Sequence, residues 1–397
     1  MPTMLGMITL LFATCALASA TTYHVSNLGS DSNPGTKARP FLTIRHSAAV
    51  AVAGDMVLVE NGNYPEQVTF NANGTSTSPI TFKSQTRWGA VVNPSRPGLV
   101  FNIIGSYIII QGFEITDSNA DTLIKFQDRG TGGQALENKL HDFGTTVAAC
   151  NGGAAILATQ NNAIIDSNLV YSFGPLSNTC WLWDGIYVGD GNGVAVTNNI
   201  VVAAIDAGAG IQFNGEQAIQ PNFPSNEILS NNDVVNIPGD GIYISCWLAG
   251  TCNNNVVTNN ILYFVDQIYF GSNPLLRGGG GNIFLHANAG AFGGNNLYSN
   301  NLIYYTAIET PQNILAPGQT LVNTVNSNPL FVNNTGNATG NYQPQPESPA
   351  IAAGTSTGCP RRDFSGNPRT GVCSVGAYAP SVAAPVAPTN LTVTAVN

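Results

Sequence analysis

Charge is scarce in this chain. Of its 397 residues 13 are Lys or Arg and 22 are Asp or Glu, so charged side chains make up 9% and the formal net charge is −9. No basic run occurs anywhere, which removes a general nucleic-acid-binding surface. A polyanionic ligand would need a local Lys/Arg cluster or a bridging cation. Lysine stands only at Lys37, Lys83, Lys125 and Lys139. The zinc signatures CxxC…CxxC and HExxH are both missing, so no metal ligand set is legible. Beyond the first twenty residues nothing approaches the ~20 consecutive apolar residues of a membrane-spanning helix. Low charge here does not mean disorder, because 43% of the chain is hydrophobic and its length suffices for a large core. Asn, Gly, Ser and Thr take the place of charge, as in a chain of short strands and tight turns.

Residues Met1 to Ala20 read as a signal peptide. Leu5 to Leu17 is apolar and Ala18-Ser19-Ala20 forms an A-x-A cleavage site before Thr21, although the usual basic start is missing. A secreted protein is therefore expected. Removing the signal takes away Cys15 and leaves Cys150, Cys180, Cys246, Cys252, Cys359 and Cys373, an even set suited to an oxidising compartment. Six cysteines allow 15 connectivities, so only geometry can choose among them.

An Asn-x-apolar element repeats at Asn138, Asn168, Asn199, Asn232, Asn260 and Asn301, in steps of 30, 31, 33, 28 and 41 residues. A variable period of this size marks a solenoid whose insertions collect in loops. The apolar runs are short and β-branched, as in Ile108-Ile109-Ile110, which favours strands over helical repeats. Parallel rungs lie ~4.8 Å apart, so equivalent side chains stack. A column of asparagines can then hydrogen-bond along its length, and this one is assigned a structural role. Cys150 and Cys180 each stand twelve residues after a ladder Asn. Stacked rungs would bring them within the 4.4–6.8 Å Cα range of a disulfide. Cys246–Cys252 and Cys359–Cys373 are the remaining expected pairs.

Gly29-Ser30-Asp31-Ser32-Asn33-Pro34-Gly35-Thr36, Pro40-Phe41-Leu42-Thr43-Ile44, Ala53-Gly54-Asp55 and Gly62-Asn63-Tyr64 resemble the opening of secreted β-helix proteins of the pectate-lyase-like superfamily. Asp363-Phe364-Ser365-Gly366-Asn367-Pro368-Arg369 with Val375-Gly376-Ala377-Tyr378 is similar to their closing segment. The resemblance implies an all-β, right-handed parallel β-helix with a short N-terminal capping helix at Ile44 to Val52. It also implies a polysaccharide partner, since the superfamily holds lyases, hydrolases and epimerases. The expected organisation is signal peptide 1–20, N-terminal cap and first rungs 21–97, further rungs 98–330, closing segment 331–379 and a Pro/Ala linker from 380. Asn390-Leu391-Thr392-Val393-Thr394 after that linker reads like the first strand of a β-sandwich module. A monomer is expected.

One strand of each rung carries an inward Ile, at Ile124, Ile156, Ile186, Ile211, Ile242 and Ile268. Alternation turns the next residue outward, giving the column Lys125, Leu157, Tyr187, Gln212, Tyr243, Tyr269. With Trp181, Trp183 and Trp247 nearby, this face suits sugar rings, which stack on aromatics and hydrogen-bond to amides. Two residues before each Ile comes the column Thr122, Ala154, Asp184, Ala209, Asp240, Asp266. Asp240 and Asp266 are expected roughly 5 Å apart and Asp184 roughly 10 Å from Asp240. Such carboxylates can serve glycoside cleavage or hold calcium, while Asp-Gly before a strand is also ordinary turn chemistry. Asp184-Gly185-Ile186 is similar to one polygalacturonase rung, but Trp183 and Ala209 depart from that pattern, and no His-Gly or Arg-Ile-Lys follows. Lyases of this fold use Arg or Lys as the base, which draws attention to Lys125, Arg129 and Arg277. His141-Asp142-Phe143-Gly144 aligns with Tyr171-Ser172-Phe173-Gly174 and reads as a recurrent turn. The competing functional readings are a lyase or hydrolase, a non-catalytic glycan binder and an adhesive surface protein.

Overall fold

The computed structural model describes residues 20–147, 152–175, 182–205, 208–215, 224–246, 251–265, 283–287, 292–304 and 316–380. Among these residues the strands form an eleven-stranded, a nine-stranded and an eight-stranded parallel sheet, plus a small two-stranded antiparallel sheet. Each complete rung gives one strand to each long sheet, and the chain is a right-handed parallel β-helix, the hand that parallel crossovers take. The interior holds the alternating aliphatic and Phe side chains, including stacked Phe143 and Phe173 with ring centres 5.4 Å apart.

The corner between the eleven- and nine-stranded sheets explains the asparagine repeat. Its first residue sits in the left-handed region, at Glu137, Ser167, Asn198, Asn231, Asn259 and Asn300, with φ between 53° and 59°. Asn tolerates this conformation better than most residues. The next residue is the ladder asparagine, buried at every rung from Asn138 to Asn301. Each ladder amide donates to the following one, from Asn138 to Asn168 at 3.1 Å and onward to Asn301 at 2.9–3.0 Å.

The short helix Ile44–Val50 caps the N-terminal end. Thr43 accepts from the His46 N–H, and Glu66 accepts from the N–H groups of Ile44 and Arg45 at 2.8 and 3.0 Å. These bonds satisfy the helix's first free donors. At the other end, the segment from Phe331 to Tyr378 packs on the outside of the nine-stranded sheet and forms a second apolar core. The corner asparagines hook it in place. Asn198 donates to Arg362 O, Asn231 to Ser374 O and Gly376 O, Asn259 to Thr355 O, and Asn300 to Ala353 O. Disulfides Cys246–Cys252 and Cys359–Cys373 are formed, while Cys150 and Cys180 lie outside the described residues.

Candidate functional site

The eight-stranded sheet carries the residues singled out for chemistry. Its register aligns Thr122, Ala154, Asp184, Ala209 and Asp240 in one column, and Lys125, Leu157, Tyr187, Gln212 and Tyr243 in another. A Cβ on Gly185 would run into Val201 of the core, and one on Gly210 into Val234. Position 185 therefore faces the core, as Ile186 and Trp183 do, and this local break in alternation between 185 and 186 leaves Asp184 and Tyr187 both turned away from the core.

The column ends differently from the expectation. Ile242 pairs with Ile283 and Tyr243 with Phe284, so Ile268 is not the next rung's inward residue and Asp266 does not follow Asp240. The ladder's own step of 41 residues between Asn260 and Asn301 carried this signal, because Ile283 lies the same distance beyond Ile242. Asp266, Tyr269, Trp181, Trp247 and Arg277 lie outside the described residues.

Burial divides the face in two. Lys125, Leu157 and Tyr187 are partly exposed. Asp184 and Asp240 retain 2% and 1% of their exposure, Gln212 none and Tyr243 5%. The exposed tyrosine row expected from alternation is thus open at Tyr187 and closed at Tyr243. Trp183 is fully buried, opens the strand Trp183–Gly189 and packs against Phe143 with ring centres 6.0 Å apart. This places it in the core and not at a ligand. Asn214 and Ser245 also belong to the closed stretch, two residues further along their strands than Gln212 and Tyr243.

Asp184 Oδ1 accepts from the Ala209 N–H of the next rung at 2.9 Å, which fixes its carboxylate across the ladder. Beside the same face, burial lifts the Asp121 carboxyl above its ordinary range. Among the described residues, no three His, Cys, Asp or Glu side chains are placed to hold a metal ion.

His141 and its neighbours lie on the outside of the nine-stranded sheet. Its Nδ1 is 2.8 Å from Asp142 Oδ2 and its Nε2 is 3.0 Å from Glu114 Oε1, while its ring stacks on Tyr171 at 4.6 Å. Burial would raise the Glu114 carboxyl, but bonds from Lys139 and His141 hold it below the usual range. Both His141 nitrogens are engaged and the ring stacks in register with the next rung, so this is rung-to-rung support.

Two further buried carboxyls serve the scaffold. Glu227 accepts from the Val194 N–H at 2.7 Å, its other oxygen has no partner, and burial pushes its carboxyl well up. Asp233 interrupts the apolar column Leu169, Ile200, Ile261, Leu302. It accepts from the Ala377 N–H at 3.0 Å, and burial pushes it up to about 8 despite the charge of Arg369.

The chain has the parallel β-helix fold. The sheet order and register carry that statement. No family model matches the chain. An uncharacterized Bacillus subtilis (strain 168) protein, YwoF, is 39% identical over 70 residues, which are 18% of this chain and only 15% of YwoF. Among solved structures, pectate lyase Pel9A is 15% identical, with 92% of this chain and 98% of that one covered and a TM-score of 0.48. A GH136 lacto-N-biosidase from Eubacterium ramulus is 14% identical, covering 77% and 55%, with a TM-score of 0.48. A rhamnogalacturonan lyase is 17% identical, covering 72% and 69%, with a TM-score of 0.43. No helix among the described residues is long and apolar enough to cross a membrane.

Proposed function

We propose that this is a secreted carbohydrate-active protein whose polysaccharide ligand lies along the outer face of the eight-stranded sheet, and that Asp184 and Asp240 supply lyase or hydrolase chemistry there. The observation that carries this reading is the shared column, with Asp184 and Asp240 separated only by Ala209. Two rung steps put their backbones ~10 Å apart. Side chains leaning toward each other would approach the ~6.5–9.5 Å between carboxyl groups used for inverting glycoside cleavage. In that chemistry one protonated carboxyl gives its proton to the leaving oxygen, and the other takes a proton from the attacking water. Burial suits the acid role, because it favours the neutral form of a carboxyl. Lys125 is the alternative base for a lyase, two rungs before Tyr187 on the open stretch. Secretion is supported by the two disulfides, which persist in oxidising compartments, and by the apolar N-terminus.

A second reading, carbohydrate binding without cleavage, is favoured by the burial of both carboxylates, which leaves Lys125 and Tyr187 as the accessible part of the column. A polysaccharide panel separates the two readings when new reducing ends and unsaturated-uronate absorbance are both followed. Cleavage lost in Asp240→Asn and Asp184→Asn but kept in Lys125→Ala supports hydrolysis by the pair. Cleavage kept in both Asp variants removes them from the chemistry. Binding without cleavage in the wild type leaves the second reading.

A further inference from the structure

The outer face of the eight-stranded sheet begins in a cleft. The first strand, Val68–Phe70, turns Val68 and Phe70 into the core, so Thr69 and Asn71 point out. The cap helix Ile44–Val50 stands beside this outer face. Between them lies a cavity of about 590 Å³ lined by Arg45, Ala48, Gln67, Thr69 and Asn71, with a second of about 400 Å³ adjoining it at Arg45. Thr69 is in register with Asn102, Asn102 with Lys125, Lys125 with Leu157 and Leu157 with Tyr187. Cleft and tyrosine therefore lie on one straight column, four rungs or ~19 Å apart.

The lining is chemically specific. Arg45 spends two donors on Gln67 O, at 3.4 and 3.2 Å from Nε and Nη2, which leaves three of its five N–H donors. Thr69 and Asn71 are exposed and add a hydroxyl and an amide that can donate and accept. Ala48 and Ala49 of the helix provide an apolar wall. Hydroxyl-rich rings with apolar faces match such a mixture, and the helix blocks further extension along the column.

From this geometry we infer that the cleft between the cap helix and the first strand is a distal subsite that receives the end of a carbohydrate chain. The inference rests on the proposed polysaccharide face. A chain lying on Lys125 and Tyr187 gains contacts in the cleft only when it is long enough to cross the intervening rungs, so affinity rises with chain length up to that span.

The test is calorimetric titration with short and long oligomers of galacturonan, alginate and xylan. It uses the wild type, Asn71→Trp to fill the cleft, Arg45→Ala to remove its donors and Tyr187→Ala at the far end of the column. Melting temperatures confirm that each variant folds. For the oligomer series that binds the wild type, Asn71→Trp and Arg45→Ala are expected to weaken the long chain by about tenfold, equivalent to about 1.4 kcal/mol, and to leave the short one unchanged. Wild-type affinity for the long chain in both variants, with weakening in Tyr187→Ala, overturns the subsite and keeps the polysaccharide face. Equal weakening of short and long chains also overturns it. If no oligomer binds the wild type, the face and the subsite fall together.

Discussion

The asparagine ladder makes a quantitative demand at Asn199. Its Oδ1 accepts from the backbone N–H and the side-chain amide of Asn168, and its Nδ2 donates to Ile165 O and to Asn232 Oδ1, all at 2.9–3.0 Å. The residue is fully buried. In Asn199→Ala the Asn168 N–H and the Ile165 carbonyl lose these partners in the interior. A buried backbone group left unpaired costs about 1–3 kcal/mol, so the variant should lose roughly 2–6 kcal/mol, since two groups are affected. Asn226 provides the comparison. It belongs to a second row of amides at 3.0 Å, from Asn254 to Asn226 to Asn192, but that row is exposed. Its φ is 61°, a conformation glycine adopts without strain, and water replaces its partners. Asn226→Gly should therefore cost under about 1 kcal/mol, the net value of an exposed hydrogen bond. Equilibrium denaturation of both variants against wild type measures the difference. Equal losses would refute the reasoning, because burial and not hydrogen-bond count is what separates the two rows.

Three other outcomes follow from the same geometry. Because burial raises the Glu227 carboxyl and leaves one oxygen unpaired, Glu227→Gln should stabilise the protein at neutral pH, with the gain vanishing below the carboxyl's unfolded value near 4.5; a destabilised variant would contradict this. Asp233 is raised from 3.8 to about 8, so the folded state prefers it protonated, and its contribution should decline as pH rises from about 4 to about 8. The Asp233→Asn variant should flatten that stretch of the stability profile, and an unchanged slope would count against the shift. Unreduced peptide mapping should link Cys150 to Cys180, because the register holds an offset of 30 residues on both sides, from Phe143 with Phe173 to Gly153 with Trp183; any other partner for Cys150 contradicts it.

What could be read beforehand followed from periodicity. The six ladder asparagines and five of the six inward isoleucines repeat with the rung, so their stacking was legible and the columns on the eight-stranded sheet came with it. Asp266 failed for the same reason in reverse. A 41-residue rung contains an Asp and an Ile at a spacing that imitates a shorter one, and local spacing cannot tell an insertion from a strand. The corner asparagines that hook the closing segment were hidden because their partners, Ala353 to Gly376, lie up to 164 residues away. Alternation also says only which way a side chain points. It does not say what lies over it, and Tyr187 and Tyr243 share a column yet differ in exposure.

The most direct test of the polysaccharide face is the affinity of the wild type and of Tyr187→Ala for polysaccharides of a mixed panel, measured with the melting temperature of each protein. The account predicts that the wild type binds at least one of them. Loss of the Tyr187 ring should weaken that binding several-fold, in keeping with about 0.5–1.5 kcal/mol for one aromatic contact, with the melting temperature nearly unchanged. A wild type that binds none, or a variant that binds as well as the wild type, would contradict it.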